Sequence, residues 1–216
     1  ETEWDLLLLK PYRDQGKVAV DSWDIPGLVS KVAIDGTLNN SNDRDKSWSL
    51  EIAIPWKALE ECAPNFHPKD GEQWKVNFSR VQWDVEILNN QYVKTDLPEF
   101  NWVWSPQGLI NMHYPEMWGL VQFTERKNPD ESVEFNFPVL DQIKWALRQI
   151  YYRERTYFGS YNRFTESLKE LELIDTPQEN VPWSPNLQLT PSGWEAYIES
   201  GGQKIFIRKD GKVWVE

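Results

Sequence analysis

The stretch that most constrains the fold runs from residue 74 to residue 123 and alternates apolar with polar residues. It reads WKVNFSRVQWDVEILNNQYVKTDLPEFNWVWSPQGLINMHYPEMWGLVQF. Because successive residues of a strand point to opposite faces, residues 74–82 predict one strand. One face of that strand carries Trp74, Val76, Phe78, Arg80 and Gln82. A hairpin around Asn89-Asn90, an indole-rich loop and a closing strand follow, so this part of the chain is predicted to be mainly β.

Indole rings and polar side chains are interleaved in the second half of this stretch. Such a mixture suits a saccharide, because pyranose C–H faces stack on indole while hydroxyls take hydrogen bonds. The candidate stacking residues are Trp83, Trp102, Trp104 and Trp118, and the candidates for hydroxyl contacts are Arg80, Gln82, Asn101 and Glu99. Alternation places Trp102 and Trp104 on one face. For each indole the alternative is a place in the hydrophobic core.

The charge is unevenly distributed along the chain. Residues 1–125 carry 11 Lys and Arg against 20 Asp and Glu, within a net charge of −11 for all 216 residues. An acidic domain argues against nucleic acid or an anionic membrane as partner, because phosphate binding needs a basic surface. The one cysteine, Cys62, excludes an internal disulfide, and no apolar run approaches the length of a membrane-spanning helix.

Shorter elements are predicted before residue 74. Strands are expected over residues 4–9, 18–23, 28–34 and 48–54, followed by a short helix over residues 55–62. The tryptophans in these apolar patterns, with Trp74, are expected in the core: Trp4, Trp48 and Trp56. The loop with Asn40, Asn42, Asp43 and Asp45 is rich in oxygen ligands but lacks the glycine and the bidentate glutamate of the known calcium loop. No cofactor is predicted, and calcium in this loop is the alternative.

After residue 125 the character of the chain changes. A polar linker over residues 124–136 precedes an amphipathic helix over residues 138–158, followed by a second helix over residues 165–173. The outer face of the long helix is predicted to carry Asp141, Lys144, Arg148, Arg153 and Arg155. Strands over residues 194–199, 203–208 and 212–215 predict a three-stranded meander, so residues 126–216 form a small α+β unit.

Four blocks in residues 2–124 carry a family resemblance. They are TEWDLLLLKPYRDQGK, WSLEIAIPWKAL, GEQWKVNFSRVQW and NWVWSPQGLINMHYPEMWGLVQF. In this order they closely resemble bacterial proteins related to family 9 carbohydrate-binding modules. The resemblance implies a β-sandwich over residues 1–125 that binds saccharides, in an extracytoplasmic (periplasmic, cell-surface or secreted) polysaccharide-degrading system. It also implies that the first strands of the sandwich come from a preceding segment or from a partner chain.

Two other functions stay open. Glycoside hydrolysis needs two carboxyl groups flanking one bond, and the candidates are Asp84, Glu86, Asp96, Glu99 and Glu116. The blocks QIYYRERTYFGSYNRFTESLKELEL, TPSGWEAYI and KDGKVW are similar to the soluble part of type IV pilin-like proteins, which implies a structural or interaction protein. Non-catalytic saccharide binding is the function that the sequence favours.

Overall fold

The chain divides into two units. The computed structural model describes residues 7–10, 16, 19–63, 65–109, 113–128, 130–175, 177, 179 and 181–216. Unit 1 spans Glu1–Lys127 and unit 2 spans Asn128–Glu216, whereas the sequence places the division after residue 125. Antiparallel strands prevail over helix, so the prediction of a mainly β fold is confirmed.

The described part of unit 1 consists of short antiparallel ladders. Its strands are β1 (Leu7–Leu8), β2 (Ala19–Val20), β3 (Val29–Asp35), β4 (Ser47–Ala53), β5 (Gln73–Val76), β6 (Ser79–Gln82), β7 (Val85–Leu88), β8 (Gln91–Lys94), β9 (Phe100–Val103) and β10 (Gly119–Gln122). They pair as β1 with β2, β3 with β4, β5 with β10, β6 with β9 and β7 with β8. Single 3-10 turns occupy Trp56–Leu59 and Pro115–Met117. The helix predicted over residues 55–62 is therefore only one turn long.

The strand predicted over residues 74–82 is interrupted at Asn77 and Phe78. Its first half, β5, pairs with β10, and its second half, β6, pairs with β9. The carboxamide of Asn77 causes the break, because it forms hydrogen bonds with backbone groups that would otherwise pair between strands. Its Oδ1 accepts hydrogen bonds from the backbone N–H of Phe78 at 3.0 Å and of Ser105 at 2.9 Å, and its Nδ2 donates to the Ser105 carbonyl at 3.1 Å. A local side-chain bond of this kind competes with the ladder.

The predicted hairpin at Asn89-Asn90 is confirmed. β7 and β8 pair in register around these two residues, whose φ angles of 52° and 61° are those of a tight hairpin turn. The prediction for two of the early tryptophans was wrong. Trp48 lies on β4 and is 51% exposed. Trp56 is 39% exposed, although its ring contacts those of Trp74 and Phe123 edge to face. Trp74 is half-buried, and Trp4 lies outside the described residues.

Unit 2 is a helix on an antiparallel meander. Its elements are α1 (Val139–Tyr161), β11 (Asn186–Thr190), β12 (Gly193–Ser200), β13 (Gln203–Arg208) and β14 (Val213–Val215). The meander has four strands rather than the predicted three. Sequence reasoning missed β11 because only two leucines alternate there, between two prolines. None of the helices in the described ranges combines the length and apolarity that crossing a membrane requires.

The second helix predicted over residues 165–173 is a series of turns. Side-chain bonds divert the backbone there: the Thr165 hydroxyl bonds the Glu170 carboxylate and accepts the backbone N–H of Ser167 at 3.1 Å. Glu172 has a φ of 58°, which is left-handed and cannot continue a helix. Leu171 and Leu173 are nevertheless buried.

The core of unit 2 lies between α1 and the central strands. The helix presents Ile143, Leu147 and Ile150, at a spacing that lines up one face, and packs against β12 and β13. The strands contribute buried side chains from alternate positions and from the centre of β13: Trp194, Ala196, Ile198, Ile205 and Ile207. Burial on both sides of this contact explains why α1 forms.

Two residues predicted on the outer face of α1 are buried instead, Asp141 and Arg148. The guanidinium of Arg148 donates from Nη1 to the Gly211 carbonyl at 2.8 Å and lies 4.5 Å from the centre of the Tyr151 ring. Its long stem lets a charged group reach a backbone acceptor in the turn after β13. The helical spacing of apolar residues, from which the faces of α1 are predicted, gives no information about such an acceptor.

Glu154 is a fully buried carboxyl group on α1. Its Oε1 accepts the backbone N–H of Thr165 at 3.3 Å, whereas its Oε2 has no hydrogen-bond partner among the described residues. Loss of hydration, together with the nearby charge of Glu170, raises the pKa of Glu154 to about 7. Below about pH 7 the protonated form of Glu154 therefore prevails inside unit 2.

We expect Leu147→Ala to destabilise unit 2 by about 2–5 kcal/mol, because a completely buried side chain would leave a cavity. The measurement is urea unfolding followed by the helical circular dichroism. Val139→Ala on the same helix is the matched control, since Val139 is 55% exposed. Equal losses in the two variants would contradict the described packing of α1.

Glu154→Gln is expected to remove a pH dependence of stability. The unfolded state ionises near the ordinary value of 4.5, whereas the folded state holds its proton to about 7. The free energy of unfolding of the parent chain should therefore fall, relative to the variant, as pH rises through that window. Urea unfolding at a series of pH values measures this difference. Glu199→Gln, at an exposed carboxylate of β12, is the control for the loss of one acidic side chain.

Candidate functional site

Three of the predicted site residues lie together on the ladder of β6 and β9. Arg80 pairs with Trp102 and Gln82 pairs with Phe100, so these four side chains share one face. The backbone N–H of Trp104 donates to the Phe78 carbonyl at 2.8 Å, which extends the ladder by one pair on the same face. We call this surface the indole face: Phe78, Arg80, Gln82, Phe100, Trp102 and Trp104.

The two indoles of this face are accessible. Trp102 is 62% exposed and Trp104 is 53% exposed. Neither ring therefore lies in the hydrophobic core, which was the alternative prediction for each indole. Phe78 and Phe100 were not selected from the sequence as site residues, although the same alternation places them on this face.

The Arg80 side chain is held by two contacts. Its Nη2 donates to Oε1 of Gln82 at 2.8 Å, and its guanidinium lies 5.3 Å from the centre of the Trp48 ring. A guanidinium carries five N–H donors, more than the bond to Gln82 uses. Arg80 therefore combines a defined position with capacity for further hydrogen bonds, beside the indole of Trp102.

The indole of Trp104 is fixed by its neighbours. Its ring meets that of Phe78 edge to face, with centroids 5.9 Å apart. On the other side the ring lies so close to Gly119 that a Cβ at this glycine would be 2.6 Å from Cζ3 of Trp104. The glycine is required by this close approach. A stacking platform that is already positioned loses little freedom on binding.

The other two candidate indoles are not among the paired residues of the β6–β9 ladder. Trp83 follows β6, is 43% exposed and has the Lys94 ammonium 4.7 Å from its ring centre. Trp118 is half-buried just before β10, and its backbone N–H donates to the Pro115 carbonyl at 3.2 Å. Because the Lys94 ammonium covers one face of its ring, Trp83 is less accessible for stacking than Trp102.

The two remaining candidates for hydroxyl contacts are not on the indole face. Asn101 pairs with Val81 and therefore points to the opposite face of the ladder. Glu99 is exposed and precedes β9. Of the four residues selected for hydroxyl contacts, the structure brings Arg80 and Gln82 to the indoles.

The loop proposed as an alternative calcium site is organised by internal hydrogen bonds. Thr37 donates from its backbone N–H to Oδ1 of Asp45 and from its hydroxyl to Oδ2 of Asp43, each at 2.7 Å. Within the described ranges, no group of three or more His, Cys, Asp and Glu side chains is placed to hold a metal ion.

The carboxylates considered for hydrolysis are mostly at the surface. Asp84, Glu86, Asp96 and Glu99 are exposed, and Glu116 is partly buried. A general acid in a glycosidase needs a desolvated carboxyl group that holds its proton at neutral pH. The four exposed residues are not desolvated in this way, and Glu116 is the one of the five that is partly buried.

Gly119→Ala is expected to displace the Trp104 indole, because the added methyl group would overlap Cζ3. Overpacking of this kind costs about 1–3 kcal/mol. The 19F spectrum of the chain labelled with 5-fluorotryptophan, with the Trp104 signal assigned from Trp104→Phe, measures the change. Gly159→Ala is the control, since nothing lies near a Cβ there. An unshifted Trp104 signal would contradict the described contact.

Comparisons with known proteins give no information about the site. Protein-family models, curated proteins and solved structures give no match to this chain. The functional conclusion therefore depends on the exposed indoles, on the fixed guanidinium and on the charge of unit 1.

Proposed function

We propose that unit 1 binds saccharides without cleaving them. The observation that carries the proposal is the indole face, where two exposed tryptophans lie in register with a fixed arginine and a glutamine. A pyranose has an apolar C–H face and a rim of hydroxyl groups. The indoles of Trp102 and Trp104 suit the first, and the polar groups of Arg80 and Gln82 suit the second.

Stacking supplies most of the binding free energy in this proposal. By analogy with bases on aromatic side chains, each sugar ring on an indole contributes about 1–3 kcal/mol. Trp104 is the better positioned ring, because Phe78 and Gly119 hold it from two sides. Trp102 is the more exposed ring and contacts a ligand over a larger area.

Hydrogen bonds supply selectivity. The Nη2 of Arg80 already bonds Gln82, so both side chains are oriented before a ligand arrives. A bound sugar that left such a group desolvated and unpaired would lose about 1–3 kcal/mol. The excess of acidic residues in unit 1 disfavours polyanionic glycans. The proposed ligand class is thus neutral oligosaccharides.

The proposed setting follows from the resemblance to family 9 carbohydrate-binding modules. It is an extracytoplasmic polysaccharide-degrading system, in which a non-catalytic module holds the substrate. Hydrolysis by this chain is the alternative from a different class, with Glu99 and Glu116 as the residues to test first.

Trp102→Ala is expected to weaken binding of neutral gluco-, xylo- or manno-oligosaccharides about 5- to 150-fold, which corresponds to one lost stacking contact. Isothermal titration calorimetry measures the affinity. Trp102→Phe should retain part of the affinity, because a smaller ring still stacks. Tyr161→Ala, at an equally exposed aromatic residue of unit 2, is the control and should leave the affinity unchanged.

Two results would contradict the proposal. The first is an affinity that Trp102→Ala and Trp104→Ala leave unchanged, since no stacking platform would then be in use. The second is release of reducing sugars by the parent chain that Glu99→Gln or Glu116→Gln abolishes while affinity persists. That outcome would assign hydrolysis to this chain.

A further inference from the structure

An open cleft in unit 2 lies beside the C-terminal end of α1. It has a volume of about 510 Å³ and is lined by the last turns of α1, by the turns that follow the helix, by β12 and by the turn after β13. Small-molecule sites commonly have volumes in this range. Its lining includes two cations and three aromatic rings, and we call it the unit 2 cleft: Arg155, Phe158, Phe164, Trp194 and Lys209.

The aromatic rings give the unit 2 cleft an apolar wall. Phe158 and Phe164 stack on each other, with ring centroids 4.6 Å apart and planes inclined by 29°. Trp194 is buried and therefore fixed by the core, whereas Phe158 is 40% exposed. Gly159 also lines the cleft, and nothing lies within 4 Å of a Cβ built there. A flat ring therefore finds space beside an accessible aromatic surface.

Both cations of the cleft are held by neutral groups. Nη1 of Arg155 donates to the Tyr151 hydroxyl at 3.3 Å, and the Lys209 ammonium donates to the Ser192 carbonyl. The Lys209 side chain also lies so close to Gly193 that a Cβ there would overlap its Cδ. A guanidinium has five N–H donors and an ammonium has three, so both cations keep donors for a ligand.

Neither of these cations forms an ion pair with a carboxylate in the described part of the chain. Five other cations of unit 2 do form such pairs: Lys144 with Asp141, Arg153 with Glu172, Arg163 with Glu170, Lys204 with Glu199 and Arg208 with Asp210. No Asp or Glu is among the residues that line the unit 2 cleft. The cleft is therefore a local site of positive charge, which attracts anions.

An adjoining cleft has a different balance of charge. It has a volume of about 350 Å³, shares Trp194 and Lys209 with the unit 2 cleft, and is also lined by Glu195. Its arginine, Arg208, already binds the Asp210 carboxylate through two parallel hydrogen bonds, from Nε to Oδ1 at 3.0 Å and from Nη2 to Oδ2 at 2.8 Å. The unit 2 cleft is thus the one of the two that favours an anionic ligand.

We propose that the unit 2 cleft binds a small aromatic carboxylate. The aromatic wall contacts one face of the ligand ring, and the cations of Arg155 and Lys209 pair with the carboxylate. A guanidinium fork matches the two oxygens of this group. The residues involved all belong to unit 2, so the site is independent of saccharide binding, which uses the face of β6 and β9.

Isothermal titration calorimetry of the complete chain with naphthalene-2-carboxylate tests the proposal. The neutral analogue naphthalene-2-carboxamide has nearly the same shape and should bind at least about tenfold more weakly, because the charge-assisted hydrogen bonds are lost. Acetate, which has the charge without the ring, should also bind more weakly than the aromatic carboxylate. The two analogues separate the contributions of charge and of stacking.

Two pairs of variants locate the binding site. Arg155→Gln should weaken binding of naphthalene-2-carboxylate about tenfold, whereas Arg153→Gln, which removes the same charge from the same helix outside the cleft, should change it no more than about twofold. Lys209→Gln and Lys204→Gln form the second pair, with the same expectation. The helical circular dichroism of each variant should match that of the parent chain, so that lost binding is not lost folding.

Phe158→Ala tests the aromatic wall. It should weaken binding about fivefold or more, because one stacking contact is lost. Tyr161→Ala, at an exposed aromatic residue of the same helix outside the cleft, is the control and should leave binding unchanged. In the amide proton–nitrogen spectrum, the probe should shift the signals of Phe158, Gly159 and Lys209.

Four results would overturn the proposal. The first is the absence of binding, and the second is equal binding of the carboxamide and the carboxylate. The third is an equal loss in Arg155→Gln and Arg153→Gln, which would show attraction by overall charge. The fourth is loss of probe binding in Trp102→Ala, which would place the probe on the indole face. Saccharide binding should persist in Arg155→Gln, so failure of this proposal and failure of the saccharide proposal are distinguishable.

Discussion

A β-sheet needs a second layer before either of its faces is buried, and the two units differ in whether the described residues provide one. In unit 2, α1 lies on β12 and β13, and residues such as Leu147 and Ile198 lose nearly all contact with water. In unit 1, side chains of both strands in the β3–β4 hairpin remain half exposed. The hydrophobic effect that stabilises unit 2 is therefore largely unused along this hairpin.

The features that follow from the sequence are those that depend on residues close together in the chain. Alternation and turn residues predicted the β7–β8 hairpin, the long helix and the pairing face of Trp102, because each depends on local periodicity. Periodicity did not predict the break at Asn77, since that break depends on a carboxamide bonding Ser105 far along the chain. It also placed Arg148 at the surface, because the Gly211 carbonyl that accepts its hydrogen bond is 63 residues away.

In the candidate site, some features depend on alternation within one strand and others depend on the pairing of two strands. Alternation alone brings Arg80 and Gln82 together, and the same rule puts Trp102 and Trp104 on one side. Only the register between β6 and β9 brings the two pairs to a common face and sends Asn101 to the other side. Trp48 illustrates the converse: its apolar pattern predicts burial, yet burial requires a covering layer that a pattern within one strand cannot supply.

The bond between Arg148 and Gly211 has a consequence for how unit 2 is made. The helix leaves the ribosome well before β13 and the turn that contains Gly211. At about 5–20 residues per second, the 63 residues between donor and acceptor take about 3–13 seconds to synthesise. During those seconds the nascent chain carries a guanidinium without its final acceptor and an apolar stripe without its sheet. The apolar stripe of α1 is buried only after β12 and β13 have been made, so unit 2 gains its hydrophobic stabilisation late in its synthesis.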